Sequence, residues 1–96
     1  MRILRSVVLS RCRDGSVVSE YYLDQDIPES FIPTLQDRGV LTQKNLSGMI
    51  LFTLEVEGLF CMKGMSGDRI ICCTHAKEAT IQVEAVLSEI LSSRNG

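Results

Sequence analysis

Met49-Ile50-Leu51-Phe52-Thr53-Leu54-Glu55-Val56-Glu57 is the stretch from which the fold can be read. Ile50, Phe52, Leu54 and Val56 fall on one side of an extended chain, and Thr53, Glu55 and Glu57 on the other. A period of two with one apolar side predicts a strand buried on one face. Gly58 turns the chain, and residues 59–65 predict a second strand, weakened by Gly64. Ser66-Gly67-Asp68 reads as a turn, and residues 69–74 as a third, buried strand. Just upstream, residues 40–48 (VLTQKNLSG) fit a helical turn, a loop or a short edge strand.

Downstream the period changes. From Ala76 to Ser93, the residues Ala79, Val83, Val86, Leu87, Ile90 and Leu91 recur at three- and four-residue spacing. That spacing predicts an amphipathic helix beginning at Thr74 or His75 and ending at Arg94-Asn95-Gly96, its stripe docked on the Ile50–Val56 face. Ile81 and Ala85 fall on its far side, one turn apart.

At the other end, residues 3–12 are apolar on both alternating sets, which predicts a strand buried on both faces, in a central position. Asp14-Gly15 then predicts a hairpin, with residues 17–23 as the return strand and Val17, Tyr21 and Leu23 on one face. Asp26, Pro28 and Glu29 look like a helix start, with Ser30 as an alternative. Pro33 keeps that helix short or kinked. Phe31 and Leu35 are its anchors and Gly39 its stop. The expected order is β-β-α-β-β-β-α: one α+β domain over residues 1–96, with a five-stranded antiparallel sheet and a long C-terminal helix packed on one face.

Composition narrows the function classes. The chain has 96 residues, 45% hydrophobic and 23% charged, with ten basic and twelve acidic side chains. A net charge of -2 and five aromatics give neither the basic surface nor the stacking platform of a nucleic-acid binder. No run approaches the roughly 20 apolar residues of a transmembrane helix. Arg5 splits the N-terminal apolar run, and no small-residue cleavage site follows it, so a strand is expected there rather than a signal peptide. Cys12, Cys61, Cys72 and Cys73 are expected as reduced, mostly buried thiols of a cytoplasmic protein.

Few residues suggest chemistry. Cys61, Cys73 and His75 are the candidate metal set, although no C-x2-C pair accompanies them. Cys73 with His75 is the corresponding nucleophile and base for a small thiol- or metal-dependent enzyme. Gly64 and Gly67 beside Lys63 lack the phosphate-loop pattern. The principal expectation is no catalytic residue and no cofactor, with Ile81 and Ala85 forming an interface.

The order of elements resembles the longin domains of trafficking SNAREs and adaptor small subunits. RILRSVVLSRCRDGSVVSEYYL is similar to their opening hairpin, and GLFCMKGMSGDRIICCTHAKEATIQVEAVLSEIL to their closing strands and helix. Pro28 and Pro33 depart from the longer, proline-free first helix of longins, and the related roadblock group begins with a helix this chain lacks. The resemblance implies a non-catalytic protein–protein interaction module. Such a module forms a homodimer or a heteromeric complex, in membrane trafficking or small-GTPase regulation.

Overall fold

Ser47 and Gly48 both adopt positive φ, 51° and 85°, and this two-residue turn adds a strand that the sequence left open. Two central residues with positive φ match the twist of a tight hairpin. The turn pairs Leu46 with Met49 and continues the ladder to Val40 and Glu55. The protein, described over residues 1–92 by a computed structural model, has six strands rather than five. They are β1 (Ile3–Arg11), β2 (Ser16–Leu23), β3 (Val40–Leu46), β4 (Met49–Val56), β5 (Phe60–Met65) and β6 (Ile70–Ala76). All pairs are antiparallel, in the order β1-β2-β6-β5-β4-β3.

The expected two helices reduce to one α-helix, α1 (Thr80–Ser92), preceded by a 3-10 turn at Lys77–Ala79. Residues Glu29–Asp37 form a 3-10 helix instead of an α-helix. Pro33 lies in its middle and denies it the bonding pattern of a regular α-helix. Phe31, Ile32 and Leu35 are nevertheless buried, so the expected anchors hold this segment down. Asp26 does not cap it; its carboxylate pairs with Arg69 at 2.7 Å.

β6 runs on to Ala76, so Thr74 and His75 are strand residues and the helical turn begins after them. The expected helix end at Ser93 and Arg94-Asn95-Gly96 lies outside the described residues. Val83, Leu87, Ile90 and Leu91 of α1 are buried, with Ala79 and Val86 packed against the same core. α1 packs beside β6, while the 3-10 helix packs on β3 and β4. The Ile50–Val56 face is therefore shared with a second element that the expected docking did not assign to it. Arg38 and Glu89 join the 3-10 helix to α1 at 2.7 Å, an exposed pair worth at most about 1 kcal/mol.

The largest displacement from expectation concerns β1. Its apolar residues predicted a central strand, yet it lies at the sheet edge, and all its residues after Ile3 are exposed. β2, with an alternating pattern of buried and partly buried residues, takes the inner position against β6. The Asp14-Gly15 hairpin forms as expected: Gly15 has φ 90°, and Asp14 accepts hydrogen bonds from the Ser16 amide (3.0 Å) and hydroxyl (2.7 Å). Those bonds favour the charged carboxylate and hold Asp14 below its ordinary pKa.

Candidate functional site

The sheet separates the residues that the sequence offered as a metal or thiol site. Cys73 lies opposite Met62 and Ser19, and His75 opposite Phe60 and Val17, all on the face that α1 covers. Cys61 lies opposite Thr74 and Glu55, so it belongs to the uncovered face, as does Cys72 opposite Glu20 and Lys63. The set Cys61, Cys73 and His75 is therefore divided by the backbone. Among the described residues no group of three His, Cys, Asp or Glu side chains converges on a metal position.

Cys73 and His75 do share a face, but in the core. Cys73 is fully buried, and burial pushes its thiol up to about 12, the reverse of what a nucleophile requires. His75 Nδ1 lies 2.8 Å from the Ala76 carbonyl oxygen, which can only accept, so Nδ1 carries the proton. Nε2, the remaining acceptor, is buried without a partner among the described residues. Among the described residues no carboxylate is hydrogen-bonded to the ring. This is the environment of a core histidine, which carries the cost of one unsatisfied acceptor.

The uncovered face holds a shallow concavity of about 320 Å³ between Glu20, Lys63, Asp68 and Cys72. Burial, and then the Glu20 charge, raise the Cys72 thiol above its ordinary pKa. Here too a thiol is held in its protonated form.

What the structure does expose is apolar side chains in three places. Leu4 (61%), Val7, Val8 and Leu9 are exposed along β1. Val40, Leu46 and Met49 are exposed along β3 and at its turn. Ile81 is 83% exposed on α1, and Ala85 is exposed one turn later, opposite the buried Val83 and Leu87. Both sheet edges, β1 and β3, thus carry apolar side chains beside the unpaired backbone groups of an edge strand. Sequence reasoning singled out Ile81 and Ala85 and left residues 40–48 open to an edge strand, but it placed β1 in the interior. The available signals were Ser47-Gly48, a hairpin dipeptide, and an N-terminal run that the sequence alone assigned to the interior.

No family model matches the sequence, and comparison with curated proteins and with solved structures returns no match. No helix of the described residues is long and apolar enough to cross a membrane.

Proposed function

We propose that this protein is a non-catalytic protein–protein interaction module that works as a homodimer or in a heteromeric complex. The observation that carries the reading is the placement of exposed apolar side chains on two sheet edges and on the outer side of α1. Exposed edges and apolar helix faces are the surfaces through which sheet addition and helix packing operate. The thiol and imidazole groups with which an enzyme of this composition would work are divided by the sheet or buried in the core. The finer placement is a membrane-trafficking or small-GTPase regulatory complex of the cytoplasm. It rests on the likeness to longin and roadblock domains in the sequence, an order to which β3 adds a strand.

The test is native mass spectrometry of the purified full chain, with and without Ile81→Asp. The substitution is expected to weaken assembly while far-ultraviolet circular dichroism shows unchanged helicity, because Ile81 is solvent-exposed. An unchanged assembly mass removes Ile81 and Ala85 from the interface. A reproducible metal mass increment that disappears in His75→Ala overturns the non-catalytic reading.

A further inference from the structure

We propose that two copies of this protein join edge to edge through β3, antiparallel and with Gln43 on the two-fold axis, so that the two sheets become one. This rests on the interaction-module reading and names its partner, a second copy, and the register of the pairing. β3 is the outermost strand at its end of the sheet and pairs only with β4. All of its residues except Leu41 are exposed.

The backbone groups free to form the joint are those of Leu41, Gln43 and Asn45. Ile50 lies opposite Asn45, yet its amide donates to the Ser66 hydroxyl and its carbonyl accepts from the Ser66 amide, both at 2.9 Å and on the β5 side of β4. Ile50 thus leaves Asn45 unbonded across the ladder, with its N–H and C=O turned outward. In an antiparallel ladder bonded and unbonded pairs alternate. Gln43 and Leu41 therefore also point outward, while Thr42, Lys44 and Leu46 bond to β4. The two-residue Ser47-Gly48 turn agrees, because it closes on Leu46 and Met49 as a bonded pair.

One register joins these outward groups along the whole strand and keeps like charges apart. With Gln43 on the axis, Leu41 meets Asn45 of the other copy and Gln43 meets Gln43, each pair exchanging backbone bonds. On the uncovered face Val40, 66% exposed, meets Leu46, 43% exposed, and Lys44 meets Thr42. Gln43 suits the axis, since a carboxamide both donates and accepts. Lys44 is the only charged side chain on β3. An axis at Lys44 would set two ammonium groups against each other, which is destabilising. An axis at Thr42 would carry Leu46 past the end of the other strand.

β1 lacks these properties. Its register shifts between Ile3 and Arg5 and between Val8 and Ser10, and it carries Arg5 and Arg11. Bulges and charges are the devices that keep an edge strand from pairing. β3 has an unbroken register over seven residues and no proline. A joint of this length buries less than a standard interface, so the dimer is expected to form reversibly with concentration.

The test is sedimentation equilibrium of the full chain over a concentration series, with amide hydrogen exchange on the same samples. The mass is expected to rise from 10.7 kDa towards twice that value, and the amides of Leu41, Gln43 and Asn45 to become protected as it does. Thr42→Glu sets a carboxylate opposite Lys44 on both sides of the axis and is expected to tighten the dimer several-fold, whereas Thr42→Lys weakens it by a similar factor. Gln43→Pro removes an outward N–H that β4 does not use, and is expected to weaken the dimer at least tenfold with the circular dichroism of the monomer retained. A chain that stays monomeric at millimolar concentration, Thr42→Glu and Thr42→Lys acting in the same direction, or protection gained only at residues 3–11 would each overturn the proposal. If assembly survives Gln43→Pro and is lost in Ile81→Asp, the interaction reading stands and the β3 assignment does not.

Discussion

Gly64 shows how a missing side chain is used. It lies opposite Phe52 across the β4–β5 ladder, and a Cβ built there would fall 2.6 Å from the Phe52 ring. A glycine inside a strand often marks such a close approach. Gly64→Ala is expected to cost about 1–3 kcal/mol by overpacking, read from the urea midpoint. Adding Phe52→Leu should recover part of that loss, because a smaller side chain leaves room for the methyl group. Gly39 is similar: a Cβ there would meet the backbone carbonyl of Glu55, which has no rotamer with which to yield. The sequence marked both positions as glycines, as a weak point of a strand and as a helix stop. The neighbours that explain both positions, Phe52 and Glu55, lie on β4 and are distant in sequence from either glycine, so neither explanation could be read locally.

At the scale of elements, what was legible followed from local periodicity. The β4 alternation and the α1 stripe put the expected residues in the core, because a period of 2 or 3.6 is imposed by backbone geometry alone. The Asp14-Gly15 turn was legible for the same reason. β3 was not, because its apolar content is low and its ladder with β4 depends on the Ser47-Gly48 turn. Gly48→Ala is expected to destabilise the protein by about 1–2 kcal/mol, the cost of placing a Cβ in left-handed backbone, measured by thermal unfolding. Gly48 has open space around it, so that loss would report backbone conformation and not a clash. The Glu29–Asp37 segment was legible in position and anchors but not in helix type. Pro33 argues against a long helix without choosing between a kink and a 3-10 path.

For the whole molecule, one core ties together groups whose ionisation would open it. Burial pushes the Cys73 thiol from an ordinary value of 9.0 up to about 12, and the Tyr21 phenol from 10.0 up to about 12. The folded protein thus holds these protons more tightly than the unfolded chain does. Their contribution to stability is complete below about pH 9 and is lost progressively as pH rises towards 12. The melting temperature is expected to fall over that window, and the fall should be shallower in Cys73→Ala. A slope unchanged by Cys73→Ala would leave Tyr21 as the group that links alkaline pH to unfolding. On the acid side, the lowered Asp14 contributes in the opposite sense: its share is present at neutral pH and lost as the carboxylate is protonated.

The sequence by itself determined which segments alternate, where the first hairpin turns, which stripe of α1 is apolar, and that Cys72 and Cys73 point to opposite faces. Each of these depends on residues within a few positions of one another. Only the tertiary structure decided that β1 lies outside β2, that β3 closes the far edge, that the 3-10 helix shares the core face with α1, and that Cys61 is divided from Cys73 and His75. A hairpin presents two strands to the rest of the sheet, and its local pattern does not say which of them will pair inward. That choice follows from which one buries more against distant partners. Here β2, pairing with β6 and packing Tyr21 and Leu23 into the core, took the inner place and left the apolar β1 exposed.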